Sequence, residues 1–403
     1  MKILHELLKS HVQAFIESHL YEDVASLALK KSPFPEIAMP LLVEQIQAKR
    51  KAKTKLPTWF ARAGIVFPPA IHLEQSSSET AARFKSTLLQ GHHLVDLTGG
   101  FGVDATFFAD CFSKVDYVEQ NEQLAQIAAH NFQLLGKDNI RVWNTDALSW
   151  LQQTASFPDA VYMDPSRRTL EGTKVIRLCH CQPDVRTLLP LLVGKTKQVL
   201  LKLSPMADWQ ASLQELEQAS PQWKTDTIIV VAINNQCKEL LFLLKPVPKA
   251  EPLRIQAVHL HGNRKEILDF SPEEERNAVV SYAMPESFFC EPNGAILKAG
   301  AFKTIAQRFH LKKLHPHTHL YTSHQCPEDF PGRVFGLKAI CKAERRAIAS
   351  HLPHKKALIA VRNFPATSTE LYRRWQIAEG GTVYLFATTL ADGKKAVLIG
   401  EKI

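Results

Sequence analysis

Two short stretches hold the residue types that could do chemistry. The first, Asp96-Leu97-Thr98-Gly99-Gly100-Phe101-Gly102-Val103-Asp104, follows the apolar pair Leu94-Val95. The second, Asp164-Pro165-Ser166-Arg167-Arg168, follows Ala160-Val161-Tyr162-Met163. In the first, Gly100 and Gly102 let the backbone approach a nucleotide where a Cβ would clash. The helix that follows presents free N–H groups. Asp96, at a strand tip, suits an ammonium group. Glu119, 17 residues after Gly102, is placed to accept both ribose hydroxyls, and Asp146 could accept from an adenine amino group. Thr98, Gly99, Asp104 and Ala147 complete the candidate cofactor set.

The second stretch suggests what the bound nucleotide does. An exocyclic base amine is a poor nucleophile because its lone pair is delocalised into the ring. The Asp164 carboxylate and the Pro165 carbonyl can each take one N–H and aim the lone pair, with the proline ring fixing φ so that its carbonyl faces the site. Transfer of a methyl group from a sulfonium needs such in-line positioning and little acid–base help. The expected reaction is therefore methyl transfer from S-adenosylmethionine to a base amine, with Ser166, Arg167 and Arg168 beside the acceptor. The glycine turn with Glu119 also satisfies a dinucleotide fingerprint, so a nicotinamide-dependent oxidoreductase is the alternative.

These residues need elements to position them. Short apolar runs at 93–98, 114–119, 139–144, 159–164 and 197–203 alternate with amphipathic stretches at 102–111, 121–135, 146–153, 183–193 and 208–219. That is the pattern of a parallel α/β sheet. Two further apolar runs, 227–233 and 239–244, flank Asn234-Asn235-Gln236 and predict a hairpin that closes the sheet with an antiparallel pair. Upstream, Leu4, Leu8, Val12, Phe15, Ile16, Leu20, Val24 and Leu27 fall at helical spacing, giving one or two helices. Ser76-Ser77-Ser78-Glu79 predicts a capping box opening a helix to about Gln90, stopped by Gly91. Lys245-Pro246-Val247-Pro248 reads as a linker, and 333–403 as a small α+β domain.

Charge is distributed unevenly. Residues 1–245 carry 26 basic and 25 acidic side chains, whereas 246–403 carry 23 and 15; the segment 332–375 has ten Lys or Arg against two Glu. A polyanion docking on the C-terminal part is the natural expectation. The run Lys49-Arg50-Lys51-Ala52-Lys53-Thr54-Lys55, followed by Trp59 and Phe60, reads equally as a grip on phosphate with a stacked base or as a solvated lysine face with Trp59 packed in the core. No apolar run approaches the roughly 20 residues of a membrane span. The N-terminus lacks a signal-peptide core, and the seven scattered cysteines suit a reducing compartment, so a cytoplasmic location is expected. Cys179-His180-Cys181 has no second ligand pair at suitable spacing, and His315, His317 and His319 read as exposed histidines on an irregular strand; no metal is expected.

On these residues the chain resembles a class I S-adenosylmethionine-dependent methyltransferase. Asp96 to Gly102 is similar to the D-x-x-x-G-x-G turn of RNA methyltransferases acting on guanine N2 and related sites. Asp164-Pro165 matches the first half of their (D/N)-P-P-(F/Y/W) motif. Ser166 and Arg167 stand where those enzymes have proline and a stacking aromatic, and Arg167 or Arg168 could replace that aromatic by stacking or by holding a phosphate. The whole chain resembles a bacterial group with a helical N-terminal part (1–75), a methyltransferase core (76–246), a ferredoxin-like α+β insert (250–330) and a THUMP-like α+β C-terminal domain (331–403), to which Phe364-Pro365-Ala366-Thr367 belongs. The resemblance implies a Rossmann-like seven-stranded α/β sheet with an antiparallel last strand, and structured RNA, tRNA or rRNA, as partner. An RNA-binding protein with an inactive core remains an alternative.

Overall fold

The computed structural model describes every residue except 1, 155–156, 168–176, 248, 250, 263 and 353, and the side chains of residues 2, 3 and 167. Arg168 and Lys174 of the loop after Pro165, and Pro248 of the expected linker, lie outside the described residues. The chain divides into two compact units, 1–226 with 240–252, and 227–239 with 253–403.

The first unit holds strands β1 (His93–Asp96), β2 (Lys114–Val118), β3 (Ile140–Trp143), β4 (Ala160–Met163) and β5 (Gln198–Leu203), together with the first residues of β6 (Trp223–Ile233) and the last of β7 (Gln236–Pro246), whose residues 227–239 belong to the second unit. Their order is β6-β7-β5-β4-β1-β2-β3. From β5 to β3 every neighbour is parallel, and β7 runs antiparallel to β5. The central strands are apolar throughout because helices cover both faces of such a sheet; Leu94, Val95, Ala160, Val161, Leu200 and Leu201 are inaccessible to water. Asn234 and Asn235 turn the β6–β7 hairpin with φ of 49° and 64°, a conformation that asparagine tolerates better than most residues. The parallel core strands and the antiparallel β7 are as expected, but the expected seven-stranded sheet is corrected: the hairpin does not close it, and with two further strands beyond β6 it has nine.

The N-terminal segment forms more helices than its periodicity suggested: Lys2–Leu7, Ser10–Ser18, Val24–Ala28 and Met39–Lys55, then short turns of helix. Its apolar faces join Phe101, Val103 and Phe107 of the glycine turn and its helix, and Ile127 of helix Glu122–Leu134, in one core. Two buried amides fasten the connection: Gln45 bonds the backbone N–H and C=O of Phe67, and Asn131 does the same for Val66. Trp59 sits in this core against Phe101 at 4.6 Å, so of its two readings the packing one holds. Much of the lysine run is already paired within the chain: Lys49 with Glu17, Lys51 with Glu74 on the surface, and Arg50 donates to carbonyls of Leu20 and Glu22. The capping box is corrected as well. Ser78 is the N-cap of helix Glu79–Ser86 and accepts from Ala81 N–H, while Glu79 bonds Thr58 and Arg83.

In the second unit, residues 227–233 of β6 pair in parallel with β8 (Arg254–His261), which pairs antiparallel with β9 (Arg264–Phe270). A separate sheet comprises β10 (Phe288–Pro292), β11 (Lys312–His315), β12 (Thr318–Ser323), β13 (Gly332–Cys341), β14 (Lys356–Arg362), β15 (Ala378–Thr389) and β16 (Lys395–Lys402), in the order β11-β12-β10-β13-β16-β15-β14. Helices Arg345–Ala349 and Ser368–Trp375 contribute Ile348, Leu371 and Trp375 to the core shared with Leu385, Val397 and Ile399. The expected exposed histidines lie on the β11–β12 hairpin. His319 is not exposed: it is stacked on Phe302 at 3.7 Å, and burial pushes its pKa down to about 4. No helix among the described residues is long and apolar enough to cross a membrane.

Candidate active site

The chemistry-bearing residues meet at the carboxyl ends of β1, β4 and β5, where ligands bind in open α/β sheets. The parallel register sets Asp96 beside Tyr117 of β2 and Tyr162 of β4, and Met163 beside Leu201. Asp164 and Lys202 therefore come next on neighbouring strands, and Lys202 Nζ donates to Asp164 Oδ2 in an ion pair.

The turn after β1 is shaped by its neighbours. Gly102 has φ of +81°, and a Cβ there would stand 2.6 Å from the Phe132 ring; a Cβ on Gly99 would stand 2.4 Å from the ring of Tyr117. Tyr117 Oη donates to the Gly100 carbonyl at 2.5 Å, and Gly100 N–H donates to Glu119 at 2.7 Å. The other Glu119 oxygen accepts Asn121 N–H at 2.7 Å. Burial lifts the Glu119 carboxyl above its usual range, against these N–H groups and the nearby His72. Glu119 thus stands at the end of β2 as expected, with its carboxylate already orienting the turn.

Asp96 is 1% exposed. Its Oδ1 accepts Thr98 N–H at 3.0 Å and the Thr98 hydroxyl at 3.3 Å, the side-chain bonds it makes among the described residues. Burial pushes its pKa up to about 8, with Asp104 and Asp164 adding repulsion. The Thr98 oxygen in turn accepts Asp164 N–H at 2.6 Å, linking the two loops.

Asp104 faces inward beneath the turn. It pairs with Lys85 at 2.9 Å and accepts the hydroxyls of Ser77 at 2.8 Å and Tyr162 at 2.9 Å. Burial opposes ionisation there, yet the Lys85 and Lys202 ammonium groups hold the carboxyl below its usual range. It anchors the turn to the helix that carries Lys85 rather than facing a nucleotide. Asp146 caps helix Ala147–Gln153, accepting N–H and Oγ–H of Ser149 at 2.9 and 2.6 Å. Burial raises the pKa of Asp164, and Lys202 and Lys85 pull against that rise. Pro165 is buried; Ser166 is exposed and its Oγ donates to the Gln182 carbonyl at 3.2 Å. The Arg167 backbone pairs with Cys181 in a two-residue ladder.

Lys85, Lys202 and Tyr162 were missed from sequence. Lys202 had a signal: it is a single charge in Val199-Leu200-Leu201-Lys202-Leu203, a strand otherwise apolar on both faces. Lys85 had none, because an amphipathic helix ordinarily carries lysines outward, and this one is 0% exposed.

A largely parallel sheet closed by an antiparallel strand, a glycine turn after β1 and an acidic tip on β4 define the class I methyltransferase fold. The chain matches a crystal structure of a Porphyromonas gingivalis W83 protein described as a methyltransferase, at 32% identity and a TM-score of 0.86, over 99% of this chain and 98% of that one. The chain belongs to the family of that protein. Residues 288–331 match a ferredoxin-like domain and 332–402 a THUMP domain-like family. An rRNA methylase of Streptococcus thermophilus is similar over 41% of this chain and 93% of its own, at 15% identity and a TM-score of 0.31. TrmN of Thermus thermophilus is similar over 42% and 48%, at 17% and 0.32. No curated protein matches the sequence.

The residues fit S-adenosylmethionine. Among the described residues Asp96 Oδ2 makes no hydrogen bond beside the left-handed glycine turn, which suits an ammonium group, and Glu119 stands one strand over at the end of β2.

Proposed function

We propose that this methyltransferase uses S-adenosylmethionine to methylate a base amine in structured RNA, tRNA or rRNA. The observation that carries the reading is the Asp164-Pro165 tip of β4, held by Lys202 on one side and by Thr98 on the other. Bound there, the cofactor supplies an electrophilic methyl group on a sulfonium that departs neutral.

The chain's own residues position the acceptor. Asp164 takes one N–H of the amine through the oxygen that Lys202 leaves open, and the Pro165 carbonyl takes the other. Lys202 keeps Asp164 anionic in a site whose burial favours the neutral acid. Once the new N–C bond has formed, the amine nitrogen carries a positive charge and must lose a proton, and Asp164 is the acceptor in contact. Asp96 holds the cofactor's ammonium, Glu119 the ribose and Asp146 with Ala147 the adenine edge; Gly100 and Gly102 leave room for its backbone contacts. Arg167 and Arg168 hold the base or its phosphate in place of the missing aromatic. The four-part organisation 1–75, 76–246, 250–330 and 331–403 assigns RNA capture to the basic C-terminal domain, supported by its match to a THUMP-like family.

The test is methyl incorporation from radiolabelled cofactor into total RNA of a strain lacking this gene. Label should enter RNA with the native protein and fall to background with Asp164→Ala, whose cofactor affinity stays within a few-fold. Cofactor binding without label in RNA would discard the RNA acceptor; collapse of cofactor affinity in Asp164→Ala would discard the role given to Asp164.

A further inference from the structure

We propose that Lys85, in the helix Glu79–Ser86, is a positioning residue for methyl transfer: it neutralises Asp104 and so leaves the Lys202 ammonium to Asp164. The inference rests on the acceptor role given to Asp164 above.

Side chains two apart on a strand share a face, so Tyr162 and Asp164 lie on one face of β4. The register sets Leu200 beside Tyr162, which brings Lys202 to the same face, and Asp96 of β1 is level with Tyr162. Asp104, in the helix Val103–Phe108, reaches this face and accepts the Tyr162 hydroxyl at 2.9 Å. Lys85 Nζ stands 2.9 Å from Asp104 Oδ1 and 5.6 Å from the centre of the Tyr162 ring. It also donates to Ser77 Oγ at 2.6 Å, and that hydroxyl donates on to Asp104 Oδ2 at 2.8 Å.

The result is a set of charges alternating in sign: Lys85, Asp104, Lys202, Asp164. The Lys202 ammonium attracts both carboxylates, and it donates to Asp164. How well Asp104 is served from its other side decides that allegiance. Lys85, Ser77 and Tyr162 engage both of its oxygens. Without Lys85, Asp104 would be a buried anion whose main remaining attraction is Lys202, and Asp164 would share its counter-ion. Asp96, the third carboxylate of this face, holds its proton up to about pH 8, which leaves the two ammonium groups balanced by Asp104 and Asp164.

A contribution to stability alone accounts poorly for this arrangement. A buried ion pair seldom repays its desolvation, and apolar residues of similar volume often fold as well or better. Lys85 is nonetheless turned fully inward, whereas Arg83 of the same helix keeps more than half of its side chain in water.

The experiment follows the Asp164 carboxyl by carbon-13 NMR of the full chain labelled at aspartate, its signal being the one lost in Asp164→Asn. Lys85→Met keeps the stem of the side chain and removes the charge. The Asp164 titration midpoint should rise by about one pH unit, so that its ionised fraction on the acid side falls about tenfold at a given pH. The acid limb of methyl transfer into total RNA should move by the same interval. Asp104→Asn removes the competitor and should lower the midpoint, and in Lys85→Met/Asp104→Asn the two shifts should cancel to within a few tenths of a unit. An unmoved midpoint in Asp104→Asn overturns the proposal, whether or not Lys85→Met folds. A double variant displaced as far as Lys85→Met also overturns it, because Lys85 would then act without Asp104. Shifted titration with an unmoved acid limb does the same. The titration needs no turnover, so shifts as expected with no label in RNA would uphold the charge arrangement and discard the RNA acceptor alone.

Discussion

Thr98 accepts the backbone N–H of Asp164 at 2.6 Å, so the tip of β4 hangs on a side chain from the turn after β1. The same hydroxyl donates to Asp96, and one oxygen therefore links the Asp96 carboxylate to the backbone of Asp164.

Replacing Thr98 by Val keeps the shape and removes that oxygen. The Asp164 N–H is then a donor without a partner, at a cost of about 1–3 kcal/mol. Denaturant titration should show that loss. Turnover should fall more than cofactor affinity, because the acceptor loop loses its tether while Asp96 keeps the Thr98 N–H. Equal kinetics in Thr98→Val and the native protein would show that the two loops do not need the bridge.

Lys202 should set the lower pH limit of the reaction. Removing its charge withdraws an attraction that favours ionised Asp164, so the carboxyl pKa rises further and the acid limb of the rate profile moves to higher pH. Lys202→Gln should lose about tenfold in kcat at neutral pH, with part recovered on raising the pH, and Lys202→Arg should keep most of the native rate. An unshifted profile in Lys202→Gln would place the ammonium outside the reaction.

Asp96 gives the cofactor affinity its own pH dependence. With a pKa of about 8 it is largely protonated at pH 7 in the free protein. The ammonium of the cofactor needs the carboxylate, so binding must expel a proton. Affinity should then rise by up to about tenfold per pH unit below pH 8 and level off above it. Calorimetry in buffers of different ionisation heat reads the released proton directly, and Asp96→Asn should bind weakly with no such slope. For folding the sign is the reverse. The raised pKa means that the folded chain holds the proton more tightly than the unfolded one, so this group's contribution declines as pH climbs from about 4 through 8.

The strands of the core were legible because each strand buried on both faces reads as an apolar run, and Asp96, Glu119 and Asp164 each follow one; their order in the sheet was not. The hairpin was legible from Asn234 and Asn235. What escaped was whatever depends on partners distant in sequence. Asp104 looked like part of the nucleotide turn, and only the fold reveals Lys85 and Tyr162 beneath it. Trp59 beside a lysine run looked like a nucleic-acid contact, yet the acids that neutralise Lys49 and Lys51 are Glu17 and Glu74, on other elements. The three-dimensional partner of Asp164 was visible only as an anomaly, one lysine in a buried strand.

The apolar wall formed by Phe101, Val103, Phe107 and Ile127 is covered by the N-terminal helices, and the amides of Gln45 and Asn131 clasp the same two-residue stretch from opposite sides of that seam. The helical preface and the catalytic sheet are therefore separable on paper and indivisible in the molecule. Loss of a buried side chain from those front helices therefore loosens the floor under the glycine turn.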